Sequence, residues 1–176
     1  MPTPERTSLA AILAAARELL EAGGPAAVTM QAVAARVGVR APSLYKRVRD
    51  RDALLVLVAE ATADELAARF AASGSSLADL GRAYRAFAHE HPEGFRLLFA
   101  GDAAADRMGL AVQPVLQAAR EAVGGEHALD AARLLTAWAT GFVSMELAGA
   151  FRMGGDIDAA FEYGLERIAA AIGSGR

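Results

Sequence analysis

Apolar residues recur along the chain at the spacings of an amphipathic α-helix, and glycines and prolines separate the segments with this pattern. In residues 8–22, apolar side chains repeat every three or four positions until Gly23-Gly24-Pro25 ends the pattern. The same reasoning predicts eight further helices, over residues 30–37, 41–47, 50–72, 77–90, 92–100, 104–123, 126–151 and 156–172. Pro114 should kink or split the helix that contains it. No alternating strand pattern or Asn-Gly or Asp-Gly hairpin signal stands out, so we predict an all-α fold of about nine helices.

Composition narrows the class of protein. Of the 176 residues, 54% are hydrophobic and 22% are charged, which is too apolar for a disordered chain. Cysteine is absent from the sequence, so disulfides and thiolate metal sites are excluded. The N-terminal segment lacks a signal-peptide pattern, and the sequence has no apolar run long enough to span a membrane. We therefore expect a soluble, cytoplasmic protein without a membrane partner.

Charge is distributed unevenly along the sequence. The formal net charge is −3, yet residues 1–55 hold eight basic and five acidic residues, and the remainder holds ten and sixteen. Six of the basic residues lie between Arg36 and Arg51, with Asp50 as the acidic exception. A basic head on an acidic body suggests an anionic partner for the head alone. The plain alternative is a chance excess of arginine on solvated helices.

The basic stretch contains two short predicted helices and a tight turn. Gly38-Val39-Arg40 joins the helices over 30–37 and 41–47 in a helix-turn-helix pattern, where glycine supplies a positive φ. Four apolar side chains are expected to face inward: Val33, Ala34, Val37 and Leu44. The outward face of the second helix carries Arg40, Ser43, Lys46 and Arg47, with Tyr45 beside them. Such a face suits the major groove of DNA, where basic side chains contact phosphates and Arg, Lys or Ser can reach base edges.

These residues resemble the helix-turn-helix of the tetracycline-repressor (TetR) family of transcriptional regulators. The matching positions are Thr29, Val33, Ala34, Gly38-Val39, Leu44-Tyr45 and Asp52-Ala53-Leu54-Leu55, within a resemblance that covers about residues 8–55. Arg47-Val48 stands where the family usually has His-Phe, and Arg51 stands where it usually has Lys. The second half is similar to one C-terminal subgroup of the family, through residues 91–99 and the Trp-x-x-Gly and Glu-x-x-Gly spacing of residues 138–149. Thr140 occupies the position where that subgroup often has His.

The resemblance implies a three-helix DNA-binding domain, residues 1–50, and a helical ligand-binding and dimerisation domain, residues 51–176. It implies a homodimer that binds an inverted-repeat operator in double-stranded DNA, acts as a repressor and is released by a small-molecule effector. For base reading we predict Gln31, Arg40, Ala41 and Ser43. For the DNA backbone we predict Thr29, Tyr45, Lys46, Arg47 and Arg51.

Two adjacent stripes on the predicted helix 126–151 supply candidates for the other two surfaces. Small residues let a second helix approach closely, and the predicted dimer interface is Leu134, Ala137, Gly141, Ser144 and Ala148, with Phe161, Leu165 and Ile168 of the last helix. Aromatic and methionine residues suit an effector pocket, for which the candidates are Tyr84, Phe87, His91, Phe95, Phe99, Met108, Trp138, Phe142 and Met145. Glu146 would add a polar group there or pair with an arginine. A monomer core would use the same residues, and the sequence leaves open which stripe faces a partner.

Other chemistry has weaker support. His89-Glu90-His91 is the one histidine cluster in the sequence, and residues i and i+2 of a helix point apart. We therefore predict no metal, no cofactor and no catalytic residue. The main alternative is a small all-α enzyme or ligand-binding bundle whose helix-turn-helix is purely structural, but such a protein has no use for an exposed basic face. A non-specific DNA-architectural protein is a third alternative, and the acidic body, which would repel DNA, disfavours it.

Overall fold

The computed structural model describes residues 8–101 and 105–174, and within those ranges it contains ten helices and no strand. The prediction of an all-α fold is confirmed. In chain order the helices are α1 (Leu9–Ala27), α2 (Met30–Val37), the 3-10 helix η1 (Ala41–Lys46), α3 (Arg51–Ala72), α4 (Leu77–Glu90), α5 (Pro92–Leu98), α6 (Ala105–Ala111), α7 (Gln113–Val123), α8 (Ala128–Leu147) and α9 (Ile157–Gly173).

Helix starts follow local capping chemistry. The side chains of Ser8, Thr29 and Asp156 each accept a hydrogen bond from the backbone N–H three residues later, at 3.1 to 3.2 Å. Asp50 does the same for α3, where its Oδ1 accepts from the N–H of Ala53 at 2.8 Å. Each bond satisfies a helix N–H that has no partner inside its own helix.

Glycine and proline explain where several helices break or end. In α1, Gly23 and Gly24 have non-helical backbone angles, with a φ of 68° at Gly24, so the first helix breaks where the sequence predicts, and a short second helical segment leads to Ala27. The predicted helix 104–123 is divided into α6 and α7, because Pro114 in the first turn of α7 cannot donate to an earlier carbonyl. Ala104, its predicted first residue, lies outside the described residues. Helix α8 ends at Leu147, four residues early, and Gly149 follows with a φ of 62°.

The chain divides into two compact units. The head unit comprises residues 1–65 and 91–108, and the body unit comprises residues 66–90 and 109–176. The head unit therefore contains α1, α2, η1, the first part of α3 and also α5. Its core is a cluster of aliphatic side chains that includes Ile12, Leu20, Val28, Val33, Leu44, Leu54 and Val58.

The body unit is built around α8, which packs against α4, α7 and α9. The buried ring of Phe161 is contacted by the half-buried rings of Trp138 and Phe142, and Phe151 packs on Phe142, with centroids 4.8 to 5.7 Å apart in contacting pairs. Two glycines let neighbouring helices pack closely with α9. A methyl group at Gly81 would lie 2.5 Å from Leu165 Cδ1, and one at Gly164 would lie 2.4 Å from Trp138 Cζ2. None of the described helices is long and apolar enough to cross a lipid bilayer.

The contact between Gly164 and Trp138 leads to a prediction about stability. Gly164→Ala should lower the free energy of unfolding by about 1–3 kcal/mol, because the added methyl group overpacks the close contact with Trp138. Gly173→Ala, at the end of the same helix with no heavy atom within 4 Å, is the control and should change stability little. Urea unfolding followed by circular dichroism measures both, and equal stability of the two variants would contradict the close contact.

Candidate nucleic-acid interface

The turn between α2 and η1 sets the direction of the second helix. Gly38 ends α2 in the left-handed region, with φ 74° and ψ 36°, a conformation that side chains rarely adopt. Residues 41–46 then form a 3-10 helix, with N–H to O=C hydrogen bonds from Ser43 to Arg40 at 2.9 Å and from Arg47 to Leu44 at 2.8 Å. In a 3-10 helix, residues three apart lie in one row, so Arg40, Ser43 and Lys46 share a face.

Apolar anchors turn this face outward. Leu44 and Val48 are buried in the core of the head unit, whereas 54% of Tyr45 is exposed. The predicted base-reading and backbone residues all keep accessible surface: Thr29, Gln31, Arg40, Tyr45, Lys46 and Arg47 are exposed, and Ala41, Ser43 and Arg51 are half-buried. The side chain of Thr29 also caps α2, so its hydroxyl has a structural role besides any role towards DNA.

Arg51 has a role that the sequence did not reveal. Its Nε donates to the carbonyl oxygen of Val28 at 2.8 Å, and its Nη2 donates to that of Pro25 at 2.6 Å. Both carbonyls follow the kink in α1, so this guanidinium ties the end of α1 to the start of α3. Its remaining N–H groups are the ones that could meet a phosphate.

Two other arginines of the basic stretch form ion pairs inside the head unit. Arg36 Nε donates to Glu18 Oε2 at 2.8 Å, and Arg49 Nε donates to Asp50 Oδ2 at 2.6 Å. The N–H of Ala53 and then the guanidinium of Arg49 lower the pKa of Asp50. Arg40, Lys46 and Arg47 are exposed on and beside η1, and so is Arg49 within its pair with Asp50.

The residues predicted for an effector pocket fall in both units. His91, Phe95, Phe99 and Met108 belong to the head unit, and Tyr84, Phe87, Trp138, Phe142 and Met145 belong to the body unit. Among the first four, His91 Nε2 lies 3.2 Å from Glu65 Oε1, and the rings of Phe95 and Phe99 meet edge to face at 5.3 Å. Phe95 is buried, whereas Phe99 is half exposed.

In the body unit, the predicted pocket residue Tyr84 places its hydroxyl group beside a threonine. Its hydroxyl lies 2.8 Å from Thr140 Oγ1, and its ring stacks on Phe70 with a centroid separation of 6.4 Å. Burial raises the pKa of Tyr84 to about 12, against a smaller opposing effect of the Thr140 hydrogen bond. The phenol therefore stays protonated at neutral pH and can both donate and accept.

Glu146 pairs with an arginine, one of its two predicted roles. Arg85 Nε donates to Glu146 Oε2 at 2.9 Å, its Nη2 bonds both Glu146 and Asp158, and its Cζ lies 4.8 Å from the centroid of Phe161. His89 Nε2 lies 3.1 Å from the same Glu146 oxygen. The hydrogen bonds from Arg85 lower the pKa of Glu146 despite its burial. These groups line a cleft of about 300 Å³, together with Arg82 and Glu162.

The two histidines of the cluster have different neighbours. His89 faces Glu146 in the body unit, and His91 faces Glu65 in the head unit. Within the described ranges, no three His, Cys, Asp or Glu side chains are arranged to hold a metal ion.

The predicted dimer residues divide into an exposed and a buried set. On α8 and at its C-cap the exposed members are Leu134, Ala137, Gly141, Ser144 and Ala148, with 54% of Leu134 accessible. On α9, Ile168 is half-buried, but Phe161 and Leu165 are fully buried within the protomer. The prediction for Phe161 and Leu165 is corrected, because they pack on Trp138 and at Gly81 and have no surface left for a partner chain.

Two family models match the chain. "Bacterial regulatory proteins, tetR family" matches residues 12–58, which contain the helix-turn-helix. "Tetracyclin repressor-like, C-terminal domain" matches residues 77–168, more than half of the chain. No curated protein sequence matches this chain.

Solved structures agree in fold over nearly the whole chain. A crystal structure named as a regulatory protein is 26% identical, covers 94% of this chain and 98% of its own, and has a TM-score of 0.80. One described as a possible TetR family transcriptional regulator from Streptomyces coelicolor A3(2) is 23% identical, covers 98% and 100%, and has a TM-score of 0.73. A single-substitution variant of TetR from Acinetobacter baumannii AYE, in complex with minocycline, is 24% identical, covers 93% and 95%, and has a TM-score of 0.68.

The ion pair of Glu146 predicts a pH dependence of stability. Glu146→Gln should lower the free energy of unfolding at neutral pH by about 2 kcal/mol, because hydrogen bonds to a charged group contribute about 1.5–3 kcal/mol. The pKa of Glu146 is lower in the folded state than its usual value of 4.5, so its contribution is complete above that value. It is lost as the pH falls through the folded pKa.

Urea unfolding of wild type and variant between pH 7 and about pH 3 tests this. The difference between the two proteins should shrink as the solution is acidified below the usual carboxyl pKa. Glu162→Gln is the control, since Glu162 pairs with Arg82 at a more exposed position. A difference that stays constant down to the acid end would contradict the assignment.

Proposed function

Because the chain belongs to the tetracycline-repressor family of bacterial transcriptional regulators, we propose that it is a repressor released from DNA by a small-molecule effector. It binds an inverted-repeat operator as a homodimer. The observation that carries the proposal is the row formed by exposed Arg40, half-buried Ser43 and exposed Lys46 at a short helix whose Leu44 is buried. An enzyme or a ligand-binding bundle gains nothing from exposing these charges, so the alternative of a purely structural helix-turn-helix is disfavoured.

The contacts with DNA follow from the position of each side chain on the head unit. Gln31, Arg40, Ala41 and Ser43 would read base edges in the major groove. Thr29, Tyr45, Lys46 and Arg47 would contact the DNA backbone, and Arg51 would do so only with the N–H groups it does not use for α1. The site of action would be the cytoplasm, where bacterial DNA lies.

The dimer would form through α8. Residues 134–145 contain no charged side chain, and their exposed positions are Leu134, Ala137, Gly141, Ser144 and Met145. Solvated helix faces normally carry charge, so this face suits a second copy of the chain. Ala148 extends the face by one turn, and the half-buried Ile168 would contribute from α9. Two head units joined in this way would meet two half-sites of an inverted repeat.

The effector would bind in the body unit. A variant of TetR from Acinetobacter baumannii AYE was solved with minocycline, and by analogy we expect a small molecule of drug-like size. One cleft of the body unit holds about 300 Å³, and another, beside Phe70 and Gln117, holds about 200 Å³. Ligand pockets usually span about 300–1,000 Å³. The first of these clefts lies at the lower end of that range, so a larger effector would displace packed side chains, and Tyr84, Phe87, Trp138 and Phe142 are the first positions to test.

Binding to the DNA upstream of its own gene, against unrelated DNA over a series of salt concentrations, tests the regulator. We expect a steep loss of affinity with salt and a preference of about 10³ or more for one fragment. Tyr45→Ala should weaken binding to that fragment about five- to tenfold through the loss of a phosphate contact. Helicity should not change, because the ring is half exposed.

Two further variants make the test of Tyr45 specific. Tyr45→Phe keeps the ring and removes the hydroxyl, so it should lose most of the same affinity. Leu110→Ala, which trims an exposed apolar residue of the body unit, should bind like wild type. Full affinity of Tyr45→Ala for the fragment would remove Tyr45 from the interface, and absence of any DNA binding at low salt would favour the structural alternative.

Ala137→Glu tests the dimer. A carboxylate on the charge-free face should separate the protomers, and sedimentation velocity should then show a monomer. Operator affinity should fall about 10²-fold or more, because the two head units no longer bind as one bivalent unit. Ala68→Glu places the same change on an exposed position of α3 and should leave a dimer. A dimeric Ala137→Glu would rule out this face of α8.

A further inference from the structure

Helix α5 is capped by a residue of another helix. Its own N-cap residue, His91, makes no side-chain capping bond, and Pro92 has no N–H. The carboxylate of Glu21 in α1 takes that role: Oε2 accepts from the N–H of Glu93 at 3.0 Å, and Oε1 accepts from the N–H of Gly94 at 2.8 Å. All of these residues belong to the head unit.

The fit around this carboxylate is close. A methyl group at Gly94 would lie 3.0 Å from Glu21 Oε1 and 3.2 Å from Cγ2 of Thr62, so glycine leaves the room that the two hydrogen bonds need. Thr62 is buried, and its hydroxyl is held by the carbonyl of Val58 at 2.8 Å. Helix α3 therefore packs against one side of this cap.

Glu21 also lies where a small displacement would matter for DNA binding. It precedes the kink at Gly23 and Gly24 by two residues, and the chain beyond that kink leads to Thr29, which caps α2. A second link runs beside it, from His91 of α5 to Glu65 and from Glu65 to Arg17 of α1. The start of α5 is thus tied to α1 twice, directly and through α3.

We propose that Glu21 is a positioning residue that couples α5 to the DNA-reading arrangement of α1 and α2. The proposal rests on the function proposed above. Two N–H groups at a helix N-terminus bind a carboxylate strongly, but only within hydrogen-bonding distance and at good angles. A shift of α5 by about 1 Å would break both bonds, because hydrogen bonds weaken steeply outside their range of distance and angle.

Coupling of this kind is reciprocal. If the capped state favours binding of the operator, binding of the operator must favour the capped state by the same factor. The coupling can therefore be measured in two ways. Substitution of Glu21 should change the affinity for the operator, and addition of the operator should change amide protection at the start of α5.

The test compares Glu21→Ala with Glu18→Ala. Both remove one carboxylate from α1, but Glu18 contacts exposed Arg36 rather than α5. Loss of negative charge alone should strengthen DNA binding. We expect Glu21→Ala to bind the wild-type operator fragment about five-fold more weakly, the size of effect that loss of a helix cap produces, and Glu18→Ala to bind it as well as wild type or better. Glu21→Gln keeps the packing and one acceptor oxygen, should fall between, and carries the comparison if Glu21→Ala does not fold.

Hydrogen exchange gives the second readout, which a merely structural cap would not change. Operator should slow exchange in a peptide covering residues 91–98 of wild type and of Glu18→Ala, but not of Glu21→Ala. Equal exchange in free and bound wild type, or unweakened binding by both Glu21 variants, overturns the coupling while leaving the regulator intact. If wild type binds no operator, the proposed function and the coupling fall together.

Discussion

The basic face of the helix-turn-helix depends on the burial of one leucine. Helix η1 has six residues, and a helix this short is not stable in water without tertiary packing. Leu44 supplies that packing, because it is fully buried in the aliphatic core that α1, α2 and α3 also build. With Leu44 held inside, Arg40 and Lys46 must lie outside. Apolar packing in the head unit therefore determines where positive charge is presented, and the charge itself contributes little to stability.

The parts of the fold that local chemistry controls could be predicted from the sequence. The bounds of α2 and α4 agree with the prediction at both ends, because the residues that start and stop these helices lie within a few positions of them. Thr29 caps α2 and Gly38 ends it in a left-handed conformation, and both signals are visible in the sequence. The basic face of the helix-turn-helix follows in the same way, since its apolar and charged positions are only a few residues apart.

Long-range partners could not be predicted in this way. From the sequence, Arg51 is interpreted as one more cation for DNA. Only the kink in α1 brings the carbonyls of Pro25 and Val28 within hydrogen-bonding distance of its guanidinium. The sequence alone suggests that Glu21 is a solvated acid of an amphipathic helix. Its partners in the structure are backbone N–H groups more than 70 residues away in the sequence. The apolar stripe of α9 indicates burial but not the chain that provides it. Glycine at positions 81 and 164 lets Leu165 and Trp138 approach within the protomer, which removes Phe161 and Leu165 from any dimer contact.

We infer different partners for the two stripes of α8. Trp138 and Phe142 are half-buried and pack on the ring of Phe161 within the protomer. The neighbouring stripe exposes leucine and small residues without a charge from 134 to 145, an arrangement that costs solvation free energy in a monomer and is offset when a second helix covers it. Met145 is half exposed beside this stripe. We infer that Met145 contributes to the dimer face, and that Trp138 and Phe142 are left to respond to an effector.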